Sequence, residues 1–326
     1  MRVRENGGVR RWTRGAVLAG LAFAATVAVG DRVSLGSRLG ALGLHELDVP
    51  GDPSRAVFSN RWHQVEVEAN SRRILHDGVA VYLNGPVLRD GDTWSVLGVD
   101  WTEGVGFPWI ATPVPVRRKR DLVLLDPGHG GGDKGAISQR IEEDRVTLDV
   151  AKRIGKILAA QGVTVKYTRD RDRELTLTDR SAMARKLAPD AFVSIHVNAT
   201  GDRGVEGVEV FVMTSPGYAS TVGGKADAAG YDGNRNRVLN IRLAHSVLDN
   251  LVQYTGAEDR GVKRARFAVL KGSPVPAVLV EMGFMTNPEE ESRLISRNYR
   301  DQVAMGVARG ILSYLTTARK PPDPVN

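Results

Sequence analysis

Leu122-Val123-Leu124-Leu125-Asp126-Pro127-Gly128-His129-Gly130-Gly131-Gly132 is the stretch on which the reading of the fold turns. Four consecutive apolar residues leave a strand no polar face, so it is predicted to be covered on both sides, as in the middle of a parallel sheet. The glycine-rich turn sends the chain back towards a helix, predicted over Glu143 to Ala160. Further strands are predicted at Val163–Tyr167, Ala191–Ile195, Val208–Val212 and Ala277–Val280, with helices around Asp179–Leu187, Val238–Tyr254 and Tyr299–Leu315. This alternation predicts an α/β domain over residues 120–318, a mostly parallel sheet flanked by helices.

On the N-terminal side the period changes from helical spacing to short alternation. Val65-Glu66-Val67-Glu68 and Val79-Ala80-Val81-Tyr82-Leu83, broken by Asn84-Gly85-Pro86 and Arg89-Asp90-Gly91-Asp92, predict a small β-rich module over residues 55–115. Trp62, Trp94, Trp101 and Trp109 fall in it, and filling a small core accounts for them better than a ligand patch does. Pro113, Pro115 and Arg117-Arg118-Lys119-Arg120 mark the boundary with the α/β region. Residues 31–54 lack a clear period and read as a linker, and residues 319–326, rich in proline, as a disordered tail.

Residues 1–30 are set apart by Arg2, Arg4, Arg10, Arg11 and Arg14 ahead of an uncharged apolar run from Gly15 to Gly30. This is the layout of an export signal, with Ala28-Val29-Gly30 offering small residues for cleavage; a retained membrane anchor is the alternative. An exported protein of the periplasm or cell envelope is therefore expected. The segment carries +4 of the chain's formal +7, so the remainder is mildly basic at +3 and no nucleic-acid partner is expected. Zero cysteines exclude thiolate metal sites, disulfides and cysteine nucleophiles.

Four polar residues sit where such a sheet would gather a site. His129, His196 and Glu281 each follow an apolar strand, at the carboxyl end where open α/β sheets bind ligands. Glu143 is singled out by helical phase: the stripe Val146, Val150, Ile154, Ile157 extends backward onto it, whereas Glu142 projects about 100° away. A helix-start carboxylate favouring the macrodipole is an equally good account of Glu143 taken alone. Two imidazoles and a carboxylate suit Zn²⁺, which takes nitrogen and oxygen ligands and keeps a position open in hydrolytic sites. Glu281 would then be the base, although no compact His-Glu-x-x-His motif is present.

Asp126-Pro127-Gly128-His129-Gly130-Gly131, Ser194-Ile195-His196-Val197-Asn198-Ala199 and Leu279-Val280-Glu281-Met282-Gly283-Phe284-Met285-Thr286-Asn287 resemble, in order, the signature segments of the zinc N-acetylmuramoyl-L-alanine amidases. Arg260-Gly261-Val262-Lys263 and Phe267-Ala268-Val269-Leu270 resemble two more. The resemblance implies that His129, Glu143 and His196 bind zinc and Glu281 is catalytic, cleaving the amide between N-acetylmuramic acid and L-alanine in peptidoglycan. A zinc peptidase acting on stem peptides, or a non-catalytic wall-binding homologue, are the rival readings. Asp126, Asp133, Asn198 and Asn287 are candidates to orient a ligand, with turn chemistry slightly favoured for Asp133 and Asn287. Arg169 and Arg180 match family positions, and salt bridges explain them as well as substrate contacts do. His45, His63, His76 and His245 fall outside every motif. Some relatives carry an autoinhibitory helix in the stretch corresponding to Thr214–Arg237. Here that stretch holds five glycines and no Glu, which predicts a mobile loop beside the groove and no need for an activator protein.

Overall fold

The computed structural model describes residues 31–108 and 121–317. The leader at 1–30, Trp109, the Pro113–Arg120 boundary and the tail at 319–326 lie outside the described residues. In chain order the first half contains β1 (Arg32–Ser34), α1 (Leu35–Gly40), β2 (His45–Asp48), β3 (Arg55–Ser59), β4 (Gln64–Glu68), β5 (Arg73–His76), β6 (Val79–Tyr82), β7 (Leu88–Asp90), β8 (Thr93–Leu97) and α2 (Gly98–Asp100), closed by a π-helical turn at Trp101–Val105. The second half contains β9 (Leu122–Pro127), α3 (Glu143–Ala160), β10 (Thr164–Tyr167), α4 (Leu177–Leu187), β11 (Ala191–Asn198), β12 (Val208–Met213), β13 (Tyr218–Ser220) and β14 (Gly223–Asp227). It ends with α5 (Arg237–Thr255), β15 (Asp259–Ala265), α6 (Ala268–Lys271), β16 (Ala277–Phe284), α7 (Pro288–Ile295) and α8 (Arg297–Thr317).

The apolar stretch at 122–125 lies where its pattern places it. β9 is buried along its whole length and pairs in parallel with β10 on one side and β11 on the other. The order continues β11-β16-β12-β15, with β12 antiparallel to β16. The sheet does not end there. β15 pairs in parallel with β6 at Val262 and Val81, and β6-β5-β4-β3-β2 then run as an antiparallel meander. The C-terminal half of the sheet is mostly parallel, as expected, with β12–β16 its one antiparallel pairing among the described residues; the antiparallel N-terminal strands make the whole a mixed sheet of eleven strands.

Residues 31–54, expected as a linker, hold β1, α1 and β2. The Ser34 hydroxyl caps α1 by accepting from Ser37 N–H at 3.2 Å, and Leu35, Leu39 and Leu44 are fully buried. One short helical turn carries too few periodic positions to be read from sequence. Of the tryptophans, Trp94 is buried and donates from Nε1 to Glu46, as core filling predicts, whereas Trp62 is 67% exposed.

Helices cover both faces of the sheet. α3, α5 and α8 bury one apolar cluster, while α4 and α6 bury another around Phe192, Phe211 and Leu270. α8 approaches α5 at backbone contact: a β-carbon at Gly310 would lie 2.4 Å from Val247 Cα. α3 presents Val146, Val150, Ile154 and Leu158 to the core, and the same stripe carries Glu143 inward at its first residue.

Candidate metal centre

The carboxyl ends of β9, β11 and β16 meet at one edge, and the four predicted residues meet with them. His129 follows β9 in a left-handed conformation at φ 60°, inside the glycine turn. Gly128 has to be glycine, because a β-carbon there would lie 2.3 Å from the His196 ring. Gly135, at φ 66°, would put one 2.4 Å from Glu143 Oε2. The turn's glycines are therefore the condition for bringing two imidazoles and a carboxylate together.

Each of His129, Glu143 and His196 offers one donor atom within 4.8 Å of the others, and among the described residues this is the cluster suited to a metal. His129 Nε2 lies 3.3 Å and His196 Nδ1 3.0 Å from Glu143 Oε1. Val197 N–H donates to the same oxygen at 3.0 Å, and Ala136 N–H to Oε2 at 2.8 Å. Burial opposes a charged Glu143, but the hydrogen bonds from both imidazoles outweigh it and hold this carboxyl below the ordinary range. The reverse applies to His129: burial would lower its pKa, and the hydrogen bonds and charges of Glu143 and Asp133 raise it. Three donors that hold one another in this way, in a mostly buried setting, fit a divalent cation with nitrogen and oxygen preference.

Asp133, for which turn chemistry was slightly favoured, touches His129, one of the three candidate ligands. A carboxylate only accepts, so the 2.8 Å contact with Asp133 Oδ2 makes His129 Nδ1 the donor and turns Nε2 inward. Asp133 also keeps its turn role, accepting Gly135 N–H on its other oxygen at 3.0 Å. Asn287 is a helix cap, accepting from Glu289 and Glu290 N–H at the start of α7. Asp126 lies one layer below, accepting from Thr168, Arg180 and Ser194. Asn198 reaches across to Glu209 at 2.9 Å.

Arg169 and Arg180 are buried supports of the turn. Arg169 donates to the carbonyls of Pro127, Gly128 and Asp144, and Arg180 to those of Pro127 and His129. Two guanidinium groups thus donate to three carbonyls of the irregular turn, those of Pro127, Gly128 and His129, and tie the turn to the start of α3 through Asp144. His45 sits on exposed β2, and His63, His76 and His245 cluster elsewhere.

Glu281 pairs in register with His196 on β11 and with Glu209 on β12. It is 9% exposed, its Oε2 has no hydrogen-bond partner, and burial, with the charges of Glu143 and Glu209, pushes its pKa well up. Glu209 itself went unremarked in the sequence, although a lone carboxylate in Val208-Glu209-Val210-Phe211-Val212 was the available signal. It is neutralised by Lys263 at 2.5 Å and Arg260 at 3.1 Å. Those two cations come from a segment picked out only by family resemblance.

Thr214–Arg237 is not a loop beside this edge. β12 runs antiparallel to β16, so it starts at the metal edge with Glu209 and leaves at Met213 on the opposite end of the sheet. There the β13–β14 hairpin forms, held by Arg266, which donates to the carbonyls of Tyr218 and Asp227.

A family model described as N-acetylmuramoyl-L-alanine amidase matches residues 123–313. The N-acetylmuramoyl-L-alanine amidase AmiC of Neisseria meningitidis is 34% identical over 234 residues, covering 64% of this chain. The chain spans little more than half, 56%, of that relative's length. Among solved structures, the N-acetylmuramoyl-L-alanine amidase of Clostridium difficile 630 is similar with a TM-score of 0.52 and 33% identity, over 61% of this chain and 98% of that one. AmiC2 of Nostoc punctiforme is similar with a TM-score of 0.51 and 37% identity, over 60% and 97% respectively. The span matched by the family model contains His129, Glu143, His196 and Glu281, and this chain belongs to the N-acetylmuramoyl-L-alanine amidase family.

Proposed function

We propose that the protein is a zinc-dependent hydrolase that cleaves the amide joining the lactyl group of N-acetylmuramic acid to the L-alanine of the stem peptide. The observation that carries this reading is the His129, Glu143 and His196 donor set with Glu281, one oxygen unpartnered, in register beside His196. Bound at the three donors, zinc supplies Lewis-acid polarisation of the scissile carbonyl and a lowered pKa for water. Glu281 takes a proton from the attacking water as the C–O bond forms, and passes it to the departing L-alanine nitrogen as the C–N bond breaks. Asp133 holds the His129 ring, and Arg169 and Arg180 hold the turn that carries it.

The test is product analysis on isolated sacculi with residues 31–326, with and without added zinc. Release of intact stem peptides with a free L-alanine amino group, abolished by chelation and restored by zinc, is expected. Peptides cut internally would instead support a stem-peptide zinc peptidase. Glu281→Gln should keep near-stoichiometric zinc and lose activity by orders of magnitude, while His129→Ala and His196→Ala should lose the metal. A wild type that binds zinc and cuts nothing would support the wall-binding homologue, which retention of all four residues disfavours.

The arginine-rich start and apolar run support export with removal of residues 1–30. No helix among the described residues is long and apolar enough to cross a membrane. N-terminal sequencing of envelope protein should begin at Asp31; a start at Met1 in membranes would favour a retained anchor. Activity without an activator protein is supported by the hairpin at 218–227, which stands at the end of the sheet away from the metal edge.

A further inference from the structure

Next to the metal triad a groove of about 500 Å³ opens between the loop at 136–140, the loop after β11 and the start of α7. None of the four site residues lines it, but its walls are tied to the segments that carry them. Ala136 N–H donates to Glu143, Ala199 follows His196 by three residues, and Met285 N–H donates to the carbonyl of Asn198 at 2.8 Å. Ile137, Met285 and Pro288 give it apolar surface, and Arg140 and Arg203 give it positive charge, set against one acid, Glu291. No aromatic side chain lines it among the described residues, so it lacks the flat face on which a sugar ring stacks. Its size falls in the range of roughly 300–1,000 Å³ that suits a compact ligand such as a short peptide.

The two cations differ. Arg140 is engaged, donating to Ser292 at 3.0 Å and lying 3.7 Å from Glu291. Arg203 is exposed and has no ion pair among the described residues, yet its loop is tied down. Thr200 N–H donates to Thr286 Oγ1 at 3.2 Å before it, and Gly207 N–H to Glu290 Oε1 at 2.9 Å after it. A guanidinium on a loop fixed at both ends, over an apolar floor, is suited to a carboxylate borne on a small, alanine-containing peptide.

We propose that this groove takes the stem peptide on the leaving side of the scissile amide, with Arg203 pairing to the free α-carboxylate of the second stem residue, a γ-linked glutamate. The proposal rests on the amidase reading and adds to it a preference between acidic and amidated walls.

The test compares two synthetic substrates with the zinc-loaded protein, each with the glutamate γ-carboxyl blocked as an amide, as it is in a longer stem: N-acetylmuramoyl-L-Ala-γ-D-Glu methylamide, with the α-carboxylate free, and its counterpart with that α-carboxylate amidated. The wild type should favour the carboxylate by about tenfold in kcat/KM, the scale of one charge-assisted hydrogen bond. Arg203→Ala should lose about that factor on the carboxylate substrate, in KM more than in kcat, and bring the two substrates within about twofold. Arg203→Lys should keep part of the preference. Equal use of both substrates by the wild type, or a preference that survives Arg203→Ala, would overturn the assignment. Cleavage of sacculi but of neither small substrate would also overturn it, placing recognition on the glycan. Failure on sacculi as well would overturn the amidase reading beneath it.

Discussion

His129 reaches its inward orientation through a partner that is itself mostly in solvent: Asp133 is 60% exposed and meets Nδ1 at 2.8 Å. An exposed hydrogen bond of this kind adds little to folding, so its effect should appear in metal affinity, where a wrongly turned imidazole is expensive. Asp133→Asn is expected to weaken zinc binding by about tenfold, the lower end of the effect of such supporting residues, with little change in thermal stability. Titration against a chromophoric chelator measures this; unchanged affinity would reduce Asp133 to its bond with Gly135 N–H. Asp133 stood among the sequence's candidates to orient a ligand, but turn chemistry was slightly favoured for it because aspartate in a glycine-rich turn is ordinary. Glu143 was legible because a carboxylate on the phase of Val146 and Val150 contradicts the helix's own pattern. Glu209 had the same kind of signal in a strand, and its pairing with Lys263 and Arg260 explains why a buried acid is tolerated there.

At the scale of elements, the strands and helices with strong periods appear close to their predicted limits, and α3 at both of its ends. β15 did not stand out, because Arg260, Lys263 and Arg264 interrupt it; the structure pairs each with an acid from another segment, which no local pattern reveals. α5 carries a comparable hidden contact. His245, half-buried, packs against Phe107 and His76, and its Nε2 meets the His76 carbonyl at 3.0 Å, which fixes the β5–β6 turn to the helix. Burial, with the neighbouring His76, lowers the His245 pKa to about 4, against attraction from Asp77 and Asp249. Below about pH 6.5 the unfolded chain therefore binds a proton that the folded one refuses, and stability falls as pH drops towards 4. Asp77, faced by His63 at 2.8 Å and His76 at 3.4 Å, has a lowered pKa and contributes with the same sign at lower pH. Urea unfolding should lose about 2 kcal/mol between pH 7 and pH 5, most of it absent in His245→Gln. A pH dependence identical in the variant would show that the acid sensitivity arises elsewhere.

Over the whole molecule, the N-terminal half is built into the catalytic sheet. The β6–β15 pairing was invisible in the sequence, since it joins segments some 180 residues apart at Val81 and Val262. Behind that junction lies a buried ionic clasp: Glu103, from the π-helical turn, is 2.9 Å from Arg237, 3.3 Å from Arg264 and accepts from the Ser215 hydroxyl. Glu103 and Arg264 are each about 1% exposed, so neither can turn to water if the other is removed. Breaking such a pair from one side costs about 3–5 kcal/mol, because a buried charge is left uncompensated, whereas replacing both partners by apolar residues of similar size costs far less. Glu103→Ala is therefore expected to lower the unfolding free energy of the full chain by about that amount, and Glu103→Leu with Arg264→Met to recover most of it. Because the clasp lies with Ser215 beyond Met213, at the end of the sheet away from Glu281, amidase activity below the melting transition should stay near wild type in both variants. Urea or thermal unfolding read together with sacculus hydrolysis separates the two effects. A Glu103→Ala protein as stable as the wild type would mean that the N-terminal strands are tethered to the catalytic half without supporting it. A fall in activity at full stability would mean that the clasp communicates with the metal edge along β12.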